Sequence, residues 1–333
     1  MFKHKSEHKR KKENFIRADA VFEGGGIRGI GIIGALRCFE KNNYKWQRAA
    51  GASVGAVIAA LIIAGYNSKE LEKILVELDF IKFLDKDKMQ RIPVVGTALG
   101  LFKEKGMYSG EYFESWIREL LKNKGISKFK DVYENGEYKL KVVASDITMK
   151  KKLIFPDDLT YYSIDPMEFE IAKAIRMSIS IPFYFKPVEF QHEEGISYVV
   201  DGGVTCNYPL NIFDVEGIPR WPTIGFKFDN KGYNESCTSK GEIDPMSFLF
   251  DIADTMTQYS TVNEISNEDK ERTVFIPVVD VNSTEFNISR EKSLKLFKSG
   301  YLAASNFINK WDFDKYVREY RKKKGIKYFF KKR

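Results

Sequence analysis

Three glycine-rich turns constrain the fold of this chain more than any other feature. They are Gly24-Gly25-Gly26-Ile27-Arg28-Gly29, Gly51-Ala52-Ser53-Val54-Gly55 and Asp201-Gly202-Gly203. Each turn follows an apolar run that is typical of a strand, and the first two lead into helix-like segments. Turns of this kind place backbone amides, a hydroxyl and a carboxylate at one edge of a sheet, where they can converge.

Strand-like and helix-like runs alternate along the chain. The predicted strands are Ala20–Glu23, Gln47–Ala50, Lys139–Ala144, Tyr198–Val200, Thr223–Phe228 and Thr273–Val278. The predicted helices span residues 30–41, 54–64, 68–78, 111–122, 167–176, 244–259 and 290–309. This alternation favours an α/β fold, a three-layer sandwich with a mostly parallel central sheet.

The middle turn has the pattern Gly-x-Ser-x-Gly, which presents a serine for nucleophilic attack. A serine hydroxyl needs a base to remove its proton, and it must stand clear of the backbone to reach a carbonyl carbon. Gly51 and Gly55 let neighbouring backbone pass where a Cβ would clash, and this leaves Ser53 at the tip of a sharp turn. Alone, the pattern is equally that of an ordinary turn of small residues.

The first turn is compatible with two functions. Its glycines match the dinucleotide-binding fingerprint, but that fingerprint also requires an acidic residue about 20 residues further on, at the end of the next strand. The next predicted strand instead ends at Ala49-Ala50, before the serine turn. The favoured alternative is an oxyanion hole, in which amides of the loop stabilise negative charge on an ester oxygen. Arg28 either assists this loop or is a surface charge that orders it.

Asp201 and His192 are the candidate bases. The other two histidines, His4 and His8, lie in a basic N-terminal stretch, and His192 lies in a polar stretch typical of a solvated hairpin. Asp201 ends an apolar run, and the two glycines after it permit close approach of another backbone. A carboxylate within hydrogen-bond distance of the serine could take its proton directly. Asp-Gly-Gly is also typical of a simple turn.

Taken together, these motifs resemble the patatin-like phospholipase family. The likeness extends to Ser178–Phe183 with Phe185–Val188, to Ala144–Asp146 and to Phe286–Ala304, and it covers about residues 17–310. The resemblance therefore implies a basic tail at 1–16, a patatin-like catalytic domain at 17–310 and a basic, aromatic tail at 311–333.

The resemblance also implies the chemistry. It makes Ser53 the nucleophile and Asp201 the base of a Ser-Asp dyad, with an oxyanion loop of Gly24, Gly25, Gly26 and Arg28. Gly51 and Gly55 shape the nucleophile turn, while Gly202 and Gly203 support the base. The implied activity is hydrolysis of phospholipid or lysophospholipid esters through an acyl-serine intermediate, without a metal or other cofactor.

Positive charge is concentrated at the two ends of the chain. The net charge is +8, yet residues 3–17 hold seven Lys or Arg against two Glu, and residues 315–333 hold ten against one. The part between them is therefore net negative. Either these ends bind an anionic membrane surface, helped by C-terminal aromatic residues, or they are solvated and disordered. Nucleic-acid binding has no motif behind it.

The remaining sequence features bear on location and on access to the site. The longest apolar run, around 56–65, is about half the roughly 20 residues of a membrane-spanning helix, and the N-terminus lacks the apolar core of a secretory signal. Three cysteines without metal-ligand spacing suit a reducing cytoplasm. Residues 79–110 form either a lid over the acyl pocket or irregular core packing.

Two other classes of function stay open at this stage. One is a dinucleotide-binding oxidoreductase that uses the loop at 24–29. The other is a membrane-docking protein with an idle site, against which the presence of both Ser53 and Asp201 argues. The sequence predicts no particular oligomeric state.

Overall fold

The structure is a computed structural model that describes residues 15–77, 106–229, 252, 255–256, 265–278, 281 and 288–322. Several expectations fall outside these residues. They are the roles of residues 1–14 and 323–333, most of the lid at 79–110, most of the helix at 244–259, and His4, His8 and Cys237.

The described chain forms a central eight-stranded sheet and two small two-stranded sheets. In chain order the strands are β1 Ile16–Phe22, β2 Tyr44–Ala52, β3 Gly106–Tyr108, β4 Tyr133–Glu134, β5 Glu137–Tyr138, β6 Leu140–Asp146, β7 Lys151–Phe155, β8 Phe183–Phe185, β9 Val188–His192, β10 Gly195–Asp201, β11 Thr223–Asp229 and β12 Thr273–Pro277. The central order is β12-β11-β1-β2-β6-β10-β9, with β7 also paired to β6.

Strands β12, β11, β1, β2 and β6 run parallel, which confirms the predicted mostly parallel sheet. The second half of β1 is buried on both faces, as expected for a parallel strand covered on either side. Strands β7, β9 and β10 are antiparallel to their neighbours. Short hairpin connections join β6 to β7 and β9 to β10, and such short connections link antiparallel strands.

Helices pack around the sheet. They are α1 Gly29–Lys41, α2 Val54–Ile63, α3 Ser68–Glu77, α4 Glu111–Lys122, α5 Ile171–Ser178, α6 Gly203–Cys206, α7 Asn267–Glu271, α8 Arg290–Ile308 and α9 Phe313–Tyr316, with short 3₁₀ helices at Gly26–Arg28, Phe129–Val132, Asp157–Tyr162 and Leu210–Phe213. Helices α1 and α8 can cross closely because Gly34 has no Cβ, which would overlap the Phe297 carbonyl.

Each face of the sheet has its own apolar cluster. Ala20 and Phe22 of β1 lie in the large core with α1 and α2, whereas Val21 lies in a second cluster with Leu210 and Phe213. Successive residues of a strand point to opposite faces, so the two clusters lie on the two sides of the sheet. The described 3₁₀ helix Leu210–Phe213 thus covers the face opposite α1 and α2.

One predicted helix begins later than expected. The sequence predicts a helix over 167–176, and α5 spans Ile171–Ser178. The carbonyls of Met167 and Phe169 accept backbone hydrogen bonds from Lys130 and Phe129. These long-range bonds hold residues 167–169 outside the helix.

The folded body extends past the expected boundary at residue 310. Tyr316, Val317 and Arg321 are buried, and the Arg321 guanidinium lies 3.1 Å from Asp214 and 3.2 Å from Glu268. An arginine in this buried network cannot also bind a membrane surface. The described part of the expected C-terminal tail is therefore packed on the domain.

The described chain ends lie far from the carboxyl ends of the parallel strands. Residue 15 precedes β1, whose length at about 3.3 Å per residue is roughly 20 Å. Trp311 and Phe313 line the same groove as Ile16 and Tyr44, the first residues of β1 and β2. Residue 15 and the segment 311–313 thus lie on the side of the described body opposite the glycine-rich turns. No helix of the described residues is long and apolar enough to cross a membrane.

Candidate active site

Ser53 lies at the tip of the turn between β2 and α2. Its backbone has φ 51° and ψ −129°, a strained conformation for a residue with a Cβ, and only 7% of the residue is exposed. A Cβ on Gly51 would overlap the Gly55 carbonyl, and a Cβ on Gly55 would lie 2.5 Å from the Phe22 carbonyl oxygen. Glycine is therefore required at both positions for the turn to close against β1.

Asp201 ends β10 at the level of the serine turn. Ala52 pairs with Val143 of β6, and Asp201 pairs with the next residue, Ala144. A Cβ on Gly202 would lie 3.1 Å from the Ala52 Cβ. The sheet therefore brings the end of β10 against the residue that precedes Ser53.

The Asp201 carboxyl is 1% exposed. Its Oδ1 accepts the Gly203 amide at 2.7 Å, whereas its buried Oδ2 has no partner of ordinary hydrogen-bond geometry among the described residues. Burial raises the pKa of Asp201 to about 7, and the Gly203 amide and the Ser53 side chain partly oppose this rise. Ser53 thus lies close enough to favour the carboxylate, in the longer geometry common for catalytic hydrogen bonds without substrate.

The glycine loop lies against the serine turn. A Cβ on Gly24 would lie 3.1 Å from both the Ser53 Cβ and the Ala52 carbonyl oxygen. The Gly24 amide donates to the Asn207 carbonyl at 3.0 Å. No described carbonyl accepts from the amides of Gly25 and Gly26, so these two are the loop's candidate oxyanion donors.

Arg28 is not a surface charge, because it is 5% exposed. Its Nε donates to the Val281 carbonyl at 2.8 Å. The side chain therefore ties the end of the glycine loop to a distant segment of the chain. This placement supports an ordering role for Arg28.

His192 lies in a hairpin away from Ser53 and Asp201. It pairs with Gly195 across the hairpin, and its Nε2 lies 3.2 Å from the Ser197 hydroxyl. Asp201 lies at the other end of β10, about 20 Å away at roughly 3.3 Å per residue. A Ser-His-Asp arrangement with His192 does not form in this structure.

Three polar residues at the site were not assigned roles from the sequence. The Ser178 hydroxyl accepts the Ser53 amide at 2.9 Å, and the Ser145 hydroxyl donates to the Asp201 carbonyl at 2.8 Å. The Asn207 side-chain amide donates to the Gly24 carbonyl at 3.1 Å. Ser178 and Ser145 lie in segments that resemble the family, but Asn207 carried no local signal.

An apolar cavity of about 50 Å³ begins beside the site. It is lined by Gly26 of the glycine loop and by Val54, which follows Ser53, and also by Leu71, Ile74 and Trp116. Helices α1, α2, α3 and α4 supply its other walls. Within the described ranges no cluster of His, Cys, Asp and Glu could hold a metal ion.

The family described as "Patatin-like phospholipase" matches residues 20–214, more than half of the 333-residue chain. The protein therefore belongs to the patatin-like phospholipase family, as its motifs predicted.

The chain is also similar to individual proteins. The uncharacterized protein YqhO of Bacillus subtilis (strain 168) is 34% identical over 297 residues, which are 89% of this chain and 99% of the relative. The probable lipid hydrolase 463L of Invertebrate iridescent virus 6 is 29% identical over 195 residues, or 58% of this chain and 61% of the relative. The crystal structure of VipD from Legionella pneumophila has a TM-score of 0.51 at 17% identity, covering 88% of this chain and 66% of VipD. That last likeness concerns the fold.

Proposed function

We propose that this protein is a serine acyl hydrolase that cleaves carboxylic esters of phospholipids or lysophospholipids. Ser53 Oγ attacks the ester carbonyl while Asp201 Oδ2 accepts its proton. The amides of Gly25 and Gly26 donate to the resulting oxyanion, and one such donor is typically worth about 3 kcal/mol. Asp201 returns this proton to the leaving oxygen, so the alcohol departs, and the regenerated carboxylate then takes a proton from the water that attacks the acyl-Ser53 ester and releases the fatty acid.

One observation carries the proposal: the strained Ser53 lies beside a buried carboxylate whose Oδ2 is directed at no other described hydrogen-bond donor. A serine nucleophile needs a base with a pKa near the working pH, and burial raises the Asp201 pKa to about 7. A simple turn of small residues requires neither feature.

Family membership and the apolar cavity support a lipid substrate. The cavity is lined by Gly26 and by Val54, the residue after Ser53, so an acyl chain attached to Ser53 could enter it. A dinucleotide site has less support, because β2 ends at Ala52 without the acidic residue that holds a ribose. An idle docking site would not require the strained serine turn.

Analysis of products from mixed phospholipid vesicles tests this function. We expect free fatty acids and lysophospholipids or glycerophosphodiesters, detected by mass spectrometry, with and without chelator. Release of phosphorylated head groups or of diacylglycerol, with no fatty acid, would point to cleavage of a phosphodiester and contradict the proposal.

We expect Trp116→Ala to shift the preferred acyl chain to greater length. Trp116 lines the cavity, and each extra methylene buried in the space that its removal opens is worth about 0.8 kcal/mol. Two more carbons should therefore improve kcat/KM for long relative to short p-nitrophenyl esters by about tenfold. Tyr112→Ala is the matched control, since Tyr112 lies on the same helix, is 42% exposed and does not line the cavity. An unchanged length preference in the Trp116 variant would exclude this path for the acyl chain.

We further propose that the basic chain ends attract the enzyme to anionic membranes. Deletion of residues 1–14 and 323–333 spares the packed segment around Arg321. This variant should lose most of its salt-sensitive binding to phosphatidylserine vesicles, because each charge near such a surface is worth about 1 kcal/mol. Turnover of a short soluble ester is the control and should persist. Undiminished vesicle binding by the truncated protein would show that the ends are not the anchor.

A further inference from the structure

Ser178 lies where the nucleophile turn, β6 and the base loop meet. It is the last residue of α5 and is completely buried. Its hydroxyl oxygen accepts the Ser53 amide at 2.9 Å and donates its proton to the Val143 carbonyl at 2.6 Å. The Ser178 carbonyl in turn accepts the Gly202 amide at 3.2 Å. One residue thus bonds to the backbone on both sides of the dyad.

The hydrogen bond to Val143 fixes the direction of the Ser178 hydroxyl. A serine hydroxyl has one proton, and here that proton is directed at the Val143 carbonyl. The oxygen can therefore only accept from the Ser53 amide. Because Ser53 is only 7% exposed, loss of this bond would leave its amide as a buried donor without a partner.

The Ser53 backbone needs such support. A non-glycine residue in the left-handed region costs on the order of 1–3 kcal/mol and persists only where its surroundings impose it. Gly51 and Gly55 leave space for the turn because they have no Cβ, but this does not give the Ser53 amide a hydrogen-bond acceptor. The hydroxyl of Ser178 does so directly.

We propose that Ser178 is a positioning residue for the reaction. Its hydroxyl holds Ser53 in the conformation that directs Oγ toward Asp201, while its carbonyl holds the loop that follows Asp201. This inference rests on the proposed function, because it takes Ser53 as the nucleophile.

Substitution of Ser178 tests the inference through kcat, KM and the rate of fluorophosphonate labelling. For Ser178→Ala we expect kcat on a short soluble ester and the labelling rate to fall roughly 10- to 100-fold, since small misplacements of reacting groups have such effects. KM should stay within about twofold, because Ser178 does not line the cavity. Cysteine has nearly the same shape as serine, but its sulfur is a weaker acceptor. The kcat and labelling rate of Ser178→Cys should therefore fall between those of the wild type and of Ser178→Ala.

Ser197→Ala is the matched control. Ser197 is also a completely buried serine, it lies on the strand that carries Asp201, and its hydroxyl faces His192 instead of Ser53. Its loss should lower stability without lowering kcat or the labelling rate. Unchanged kcat and labelling in Ser178→Ala, or an equal loss in Ser197→Ala, would overturn the positioning role.

Two further measurements distinguish failure of the role of Ser178 from misfolding of the variant and from failure of the proposed function. If Ser178→Ala does not fold, the Cys variant decides: a loss of about threefold or more at constant KM supports the role, and wild-type rates overturn it. Ser53→Ala is labelled in parallel. Labelling that persists there overturns the proposed function, whereas its absence together with normal labelling of Ser178→Ala overturns only the role of Ser178.

Discussion

Ser53→Ala is expected to abolish ester hydrolysis and fluorophosphonate labelling together. The proposed reaction passes through an ester on the Ser53 hydroxyl, and alanine has no atom that can form this bond. Loss of such a nucleophile typically lowers kcat by about 10⁶-fold, which leaves only slow hydrolysis in the site. Activity on vesicles and rate of labelling are the two measurements.

The fold of this variant should persist. Ser53 makes its hydrogen bond to Ser178 through the backbone amide, which alanine retains. Thermal unfolding close to that of the wild type is the control. A folded Ser53→Ala protein that still hydrolyses phospholipid would rule out Ser53 as the nucleophile.

Asp201→Asn should lower kcat by several orders of magnitude. The amide cannot accept the Ser53 proton, and the other candidate base, His192, lies in the distant hairpin. In the wild type, kcat/KM should rise with pH and level off above about pH 7, because burial raises the Asp201 pKa to about 7 and only the carboxylate is active. The Asn variant should lose this dependence.

The stability of Asp201→Asn gives an independent readout. A carboxyl with a pKa above its unfolded value stabilises the fold most when it is protonated, so this stabilisation is lost as the pH rises toward 7. The neutral amide avoids the cost of a buried charge. We therefore expect the Asn variant to unfold at the same or a higher temperature than the wild type at pH 8.

His192→Ala is the contrasting variant. His192 bonds to Ser197 in a hairpin about 20 Å from Asp201, so its loss should lower kcat by less than about tenfold. A large loss at His192, with Asp201→Asn nearly as active as the wild type, would contradict the dyad.

Much of the fold was predictable because its signals are local. The last residues of β1, Ala20–Phe22, and the alanines Ala49 and Ala50 of β2 are short apolar runs that lead to glycine-rich turns, and α2 is apolar throughout. These patterns predict buried parallel strands and the helix after Ser53. The resemblance to the family then indicated that two turns about 150 residues apart in the sequence, at Ser53 and Asp201, belong to one site.

The parts that escaped prediction depend on distant contacts. The antiparallel pairing of β10 with β6, the late start of α5 and the burial of Arg28 follow from bonds between segments far apart in sequence. Arg321 is a second example. The basic sequence around it is typical of a solvated tail, and only the fold shows that Asp214 and Glu268 lie beside its guanidinium. Asn207 and Ser178 are short polar residues whose contacts appear only once the three turns converge.

Peptide mapping of the fluorophosphonate-labelled protein tests directly whether Ser53 is the nucleophile. The wild-type protein is labelled at neutral pH, digested and analysed by mass spectrometry, with loss of phospholipid hydrolysis followed in the same sample. If Ser53 is the nucleophile, it is the one phosphonylated residue, and its modification rises in step with the loss of activity. Complete inactivation with Ser53 unmodified, or full activity with Ser53 fully modified, would contradict this assignment.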